Sequence, residues 1–293
     1  MPINMNKQML KKIKHYIAFT KPGISRAQLL TVSIGYFLAK QAIDISDNFW
    51  YLMVATYCFS SAACGANNML EKSYDKKMSR TKLRELVTGE ISIAEAYGIV
   101  AFVALIGGYV ALKINIQTMI VCVLTVAIYV GVYTPLKRKS WINTHVGAIP
   151  GALPLLGGWV ATGTPIHMAV VGLFFTLFCW QIPHFYALSI MYFDDYKAAG
   201  FKMLPNQSGG IEATKRQMIF FSCLMAISSV GPFFLGFLSA FYLIGVSILS
   251  IIFLIITLRG IQDLRKNAKK LFLLSIIYLP LWFTLIVIDI ILN

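Results

Sequence analysis

The run Asn67-Asn68-Met69-Leu70-Glu71-Lys72-Ser73-Tyr74-Asp75 puts an amide and two carboxylates at four-residue steps. In a helix of 3.6 residues per turn each step drifts by only about 40° and climbs about 6 Å, so Asn67, Glu71 and Asp75 share one face as a ladder of oxygen ligands. Hard divalent cations, Mg²⁺ above all, take carboxylate and amide oxygens and leave positions open for substrate phosphates. A polar helix end that merely solvates itself explains the spacing equally well. The residues that follow favour the chemical reading. Lys76, Lys77, Arg80, Lys82 and Arg84 form a cation cluster, and carboxylates beside cations suit a diphosphate. Topogenic charge explains Lys76, Lys77 and Lys82 better than it explains Lys72, Arg80 and Arg84.

Two further clusters carry polar chemistry. The first runs Tyr133-Thr134-Pro135-Leu136-Lys137-Arg138, Asn143-Thr144-His145 and Gly147, then Pro150-Gly151-Ala152-Leu153-Pro154 to Gly157-Gly158-Trp159. Gly and Pro at this density inside an apolar run predict a broken helix walling a chamber, because irregular backbone at membrane depth is tolerated only beside protein or a cavity. Close helix packing is the alternative. The second runs Trp180-Gln181-Ile182-Pro183-His184-Phe185-Tyr186 into Asp194-Asp195-Tyr196. It supplies a second acidic site that could meet the first over one diphosphate, with Mg²⁺ between them. His184 lies inside a span, where an unpaired polar group is costly, and is a candidate ligand contact. His145 is a weaker one, and His15 and His167 read as surface residues.

These residues need a scaffold, and the composition says which kind. The 293 residues are 58% hydrophobic and 13% charged, with a mean hydropathy of +0.71, whereas a soluble domain averages about 25% charged residues. The expected fold is therefore an all-α polytopic membrane protein, one transmembrane domain over 1–293 with a basic cytoplasmic segment at 1–26. Apolar windows predict nine spans, near 27–46, 49–69, 93–112, 117–134, 143–161, 166–190, 217–236, 239–258 and 271–291. They are expected to enclose a central cavity open to the cytoplasmic side. With the N-terminus inside, the inner segments hold 24 of the 26 Lys and Arg residues, and only Lys40 and Lys113 fall outside. That is the positive-inside asymmetry, and it places the C-terminus outside. It also explains the net charge of +14 by topology and anionic lipid, which excludes nucleic acid as a partner. Five scattered cysteines lack metal-ligand spacing and read as packing residues.

Together the clusters resemble the UbiA-type intramembrane aromatic prenyltransferases, and within them the branch that farnesylates protohaem. The resemblance rests on Thr20-Lys21-Pro22, on Asn67 to Asp75 with Met78 and Arg80-Thr81, and on Tyr133-Thr134 with Leu136-Lys137-Arg138. It continues through Asn143-Thr144, Gly151 to Trp159, Trp180 to Phe185, Asp194-Asp195-Tyr196 with Ala199-Gly200 and Met203-Leu204-Pro205, and ends at Ser275, Tyr278-Leu279-Pro280 and Asp289. Glu71-Lys72 stands where that family usually has Asp-Arg, and Arg84-Glu85 where it has Arg-Pro. Ile190 and Met191 occupy positions where quinone-forming members usually carry an extra Asp, which favours the haem branch.

The resemblance implies transfer of the farnesyl group of farnesyl diphosphate to a vinyl group of haem B, with addition of water, giving haem O and diphosphate. Mg²⁺ would be held by Asn67, Asn68, Glu71, Asp75, Asp194 and Asp195. The diphosphate would be bound by Asn67, Lys72, Arg80, Lys137 and Arg138, and haem by His184 and Trp180. Asp75, Tyr133, Asp194 and Asp195 are the catalytic candidates, with Tyr133 facing the allylic cation and Asp194 or Asp195 as base for the water. The setting implied is a bacterial cytoplasmic (inner) membrane, with a haem A synthase or terminal oxidase assembly as candidate partner. The alternatives are a prenyltransferase for an aromatic quinone precursor and, from another class, an organic-anion transporter. Crowding of the charged clusters onto one face argues against a transporter, which needs polar groups near the midplane and access from both sides.

Overall fold

A computed structural model of the chain describes the backbone from Pro2 to Asn293 and the side chains from Met9 onward. The part of the basic segment formed by Met1 and the side chains of residues 2–8 lies outside the described residues. The structure is helical throughout: α1 Pro2–Phe19, α2 Pro22–Lys40, α3 Asp47–Asp75, α4 Glu85–Thr88, α5 Ile93–Ile114, α6 Ile116–Val126, a π-helical segment Ala127–Tyr133, α7 Thr134–Leu136, α8 Asn143–Val160, α9 Met168–Met191, α10 Phe193–Ala199, α11 Gly210–Ser229, α12 Gly231–Phe234, α13 Ala240–Gly260 and α14 Leu264–Leu292. By length and composition, five stretches among the described residues are long and apolar enough to cross a membrane: Ile93–Ile114, Ile116–Leu136, Met168–Met191, Gly210–Phe234 and Ala240–Leu292, the last joining α13 to α14. The chain is an integral membrane protein.

Local sequence explains where helices begin. Ser92 and Glu95 form a capping box at the start of α5, each side chain satisfying a backbone N–H of the other's turn. At α13 the cap comes from a distant helix. The buried carboxylate of Asp289 accepts from Ser239 N at 3.0 Å, from Tyr242 N at 3.2 Å and from the Ser239 hydroxyl, which sets a negative charge against the positive end of a helix. A polar chain then ties α14 to α13 and α11. Trp282 Nε1 donates to Tyr242 Oη, and Tyr242 Oη donates to the Ser229 carbonyl.

Lipid tails are as apolar as leucine, so close packing rather than burial holds such helices together. The crossing of α2 and α8 shows how. A Cβ added at Gly35 would lie 1.9 Å from the Leu155 carbonyl oxygen, and one added at Gly158 would lie 2.0 Å from that of Val32. Each helix therefore seats its backbone on a glycine of the other. This corrects the expected break: α8 runs unbroken from Asn143 to Val160 with Pro150 and Pro154 inside it, its glycines serving contact rather than irregularity. Asn143, Thr144, Gly147, Pro150, Gly151 and Pro154 still wall the cavity. The irregular backbone lies instead in the preceding helix, where residues 127–133 form a π-helix just before Pro135. Proline provides no N–H to an upstream carbonyl, and Thr134 Oγ1 donates at 2.8 Å to the carbonyl of Tyr129, five residues back.

Candidate active site

A cavity of about 640 Å³ lies among α2, α3, the α6–π segment, α8, α9 and α14. Its lining is chemically divided. In one part, the last turns of α3 present Asn67, Glu71 and Asp75, all buried and all lining the cavity. Four cations line the cavity with them, Lys21, Arg80, Arg84 and Lys137, against the two carboxylates. Another part of the lining is apolar and aromatic, with Trp180, His184, Phe185, Phe272 and Leu279.

Each carboxylate of the ladder already has a cation. Lys137 Nζ lies 2.8 Å from Glu71 Oε1, and Arg84 Nη1 lies 2.5 Å from Asp75 Oδ2. Lys137 also stands over the Tyr133 ring, 4.7 Å from its centroid. Burial alone would lower the Lys137 pKa, but the Glu71 carboxylate and the neighbouring tyrosines more than offset it and hold the ammonium well above its ordinary value. Lys21 lacks such a partner. Its Nζ donates at 3.1 Å to Asn67 Oδ1, and Asn67 Nδ2 donates at 3.0 Å to Thr134 Oγ1. Burial, with the charge of Arg84, lowers the Lys21 pKa to about 8. The backbone of Lys21 is left-handed, at φ 52°, a conformation disfavoured both for a residue with a Cβ and for one preceding proline.

Other predicted site residues fall elsewhere. Asn68 turns away from the cavity, its Nδ2 donating at 2.9 Å to the Phe19 carbonyl. Lys72 sits off the ladder face of α3, in a separate hollow with Met69, Ser73, Lys76 and Val87. One residue beyond the ladder rotates a side chain about 100° off its face, which takes Lys72 and Asn68 out of reach. Arg138 covers the Tyr74 ring at 5.0 Å without lining the cavity. Asp194 is exposed, and neither it nor Asp195 lines the cavity. Asp195 instead anchors the loop after α3, accepting from Ser79 N at 3.0 Å, from Ser79 Oγ at 2.7 Å and from Arg80 N at 3.1 Å. Partial burial pushes its carboxyl up, but the hydrogen bonds from Ser79 and Arg80 outweigh that and hold it below the usual carboxylate range. The second acidic site thus reaches the cavity through Arg80, whose guanidinium covers the Tyr192 ring at 5.1 Å.

Among the described residues no three His, Cys, Asp or Glu side chains gather into a metal cluster. The donor chemistry still fits Mg²⁺, which is commonly held by one or two carboxylates and completes its shell with water and substrate phosphate. Asn67, Glu71 and Asp75 supply that kind of set. Arg84, read from the sequence as part of the cation cluster, lines the cavity, as do Lys21, Tyr129 and Gln181, which were not among the predicted site residues. For Lys21 the signal was present in Thr20-Lys21-Pro22, a lysine fixed beside a helix start. Tyr129 gave none, because its place depends on the π-helical turn.

A model of the UbiA prenyltransferase family matches residues 28–284. The chain belongs to that family. Similar proteins named protoheme IX farnesyltransferase include one from Francisella tularensis subsp. holarctica, 33% identical over 266 residues and covering 88% of this chain and 92% of the relative. Another, from Solibacter usitatus, is 33% identical over 291 residues, covering 94% and 99%. Among solved structures, one of a digeranylgeranylglyceryl phosphate synthase superposes with a TM-score of 0.81 at 20% identity, covering 97% of this chain and all of that one. A UbiA homolog from Archaeoglobus fulgidus bound to GPP and Mg²⁺ gives 0.65 at 17% identity, covering 93% and 99%. These two establish the fold. The charged and aromatic walls described above are therefore features of a UbiA-family prenyltransferase.

Proposed function

We propose that this protein transfers the farnesyl group of farnesyl diphosphate to a vinyl carbon of haem B, with addition of water, yielding haem O and diphosphate. The observation that carries the reading is that one cavity brings four cations and two carboxylates together with a histidine stacked among aromatic rings. An anionic headgroup suits the first group, and an apolar chain with a flat macrocycle suits the second. The names of the relatives support haem as the acceptor.

Lys21, Arg80, Arg84 and Lys137 would take the diphosphate oxygens and stabilise the charge that grows as the allylic C–O bond breaks. Asn67, Glu71 and Asp75 would hold Mg²⁺, which when bound neutralises phosphate charge. The rings of Tyr129 and Tyr133, 5.3 Å apart, would stabilise the allylic cation through their faces. The apolar wall keeps water away until the vinyl carbon supplies the electron pair for the new C–C bond. Water then adds to the cation left on the porphyrin side chain and loses a proton. The setting we propose is a bacterial inner membrane with nine spans, N-terminus inside and C-terminus outside.

The test is to incubate the purified protein in lipid with Mg²⁺, labelled farnesyl diphosphate and either haem B or 4-hydroxybenzoate. Label entering a hydroxyethylfarnesyl haem is the expected result. Label in the benzoate alone would make this a quinone-branch enzyme.

A further inference from the structure

Of the chain's four histidines, His184 alone lines the cavity. Its ring is stacked against Trp180 and against Phe272, with centroids at 5.1 Å and 4.8 Å and interplanar angles of 19° and 28°. Trp180 is itself pinned, its Nε1 donating at 3.1 Å to the Ser275 carbonyl. Stacked against two rings, one of them held in place, the imidazole has a fixed plane. Its Nδ1 lies 2.8 Å from Ser275 Oγ. Ser275 has one hydroxyl proton, and its Oγ also lies 2.6 Å from the Phe272 carbonyl oxygen, which can only accept. The serine proton goes to that carbonyl, so Nδ1 must donate to Ser275 Oγ. The neutral ring is thereby fixed as the Nδ1–H tautomer, leaving Nε2 a free lone pair with no hydrogen-bond partner among the described residues.

We propose that Nε2 of His184 is the axial ligand of the iron of bound haem, and that Ser275 is the positioning residue that sets its tautomer. This deepens the proposed function and rests on haem being the acceptor. A metal-ligating histidine ordinarily donates its other ring N–H to an oxygen acceptor, which orients the ring and raises its basicity. Cys64, Cys122, Tyr129 and Tyr133 also line the cavity, but a thiol or phenol must lose a proton to ligate well, whereas neutral imidazole does not. Ligation would also answer a problem of recognition. A flat, nearly symmetric macrocycle offers an apolar wall little to grip, and a bond to its centre fixes it while the walls select which edge faces the diphosphate.

The experiment is a titration of the full-length protein in nanodiscs with haem B, read by absorption and by resonance Raman of the ferrous form. Wild type should show an iron–imidazole stretch. His184→Ala should lose it, and added imidazole should restore it. Ser275→Ala should keep the ligand, shift the stretch and weaken haem binding about 10- to 100-fold, the usual cost of losing such a supporting partner. If His184→Ala does not insert, a Ser275→Ala protein with the wild-type stretch and affinity overturns the proposal. If wild type binds no haem, the acceptor reading fails and the ligand assignment with it. If wild type binds haem and His184→Ala gives the same spectrum, the ligand assignment alone fails.

Discussion

Asp75 and Lys21 differ in how far their charges are already compensated. Asp75 is buried and paired with Arg84, so replacing it by alanine leaves a largely buried guanidinium unpaired, at a cost of about 3–5 kcal/mol. Asp75→Asn keeps the shape and removes the charge. It should lower kcat/KM by about 10²-fold or more in inserted, folded protein, a loss of the size seen when one electrostatic contact to a transition state is removed. Asp194→Ala, at an exposed position outside the cavity, should cost much less. Equal losses in steady-state assays of the two variants would return Asp194 to the diphosphate site. Lys21 gives a prediction in pH. With its pKa lowered to about 8 in the free protein, it is charged below that value and neutral above it. An anionic substrate loses an ion partner as pH rises through 8, so kcat/KM should fall there by up to about tenfold per pH unit. Lys21→Arg, always charged, should flatten that limb, and a variant profile identical to wild type would remove Lys21 from diphosphate binding.

The long helices were legible in the sequence because apolar runs bounded by Pro, Gly and basic residues leave few other structures in a membrane. So was the face shared by Asn67, Glu71 and Asp75, since it needs only helical periodicity. The place of Asp195 was not, because its partners Ser79 and Arg80 lie more than a hundred residues away and are brought to it by the fold. The glycines of α8 were misread for the same reason: a glycine that breaks a helix and a glycine that seats a neighbour are identical until the neighbour is known. That distinction can be measured. Gly158→Ala would drive a Cβ to 2.0 Å from the Val32 carbonyl oxygen and, by forcing α2 and α8 apart, should destabilise the bundle by about 1–3 kcal/mol. Gly172→Ala is the control. It lies in α9 with nothing within 4 Å of the added Cβ, and helix propensity alone makes it neutral or stabilising by up to about 1 kcal/mol. Thermal midpoints in detergent should fall for the first and not for the second. Equal shifts would mean the α2–α8 crossing is looser than its backbone contacts indicate.

Charge is unevenly placed across the whole molecule, and under the proposed function this bears on how substrate reaches the site. Residues Lys21, Asp75, Arg80, Arg84 and Lys137 are drawn from separated segments yet line one cavity, and each belongs to a segment assigned to the inner side by its share of Lys and Arg. Under the proposed function, a diphosphate supplied from the cytosol could not carry its charge across the hydrocarbon core, so the charged part of the cavity would have to face the side on which that substrate is supplied. The opposite end of the bundle carries the turn from Ala161 to Pro165 and the junction before α13, with few charges. The expected topology follows: a cysteine placed at Thr162 should react with a membrane-impermeant maleimide in intact cells. One placed at Lys202, beside Lys137 through its backbone N–H to the Lys137 carbonyl at 2.7 Å, should react only after permeabilisation. The reverse pattern would put the diphosphate site on the face where no diphosphate is available, and the prenyl-transfer proposal could not stand in that orientation.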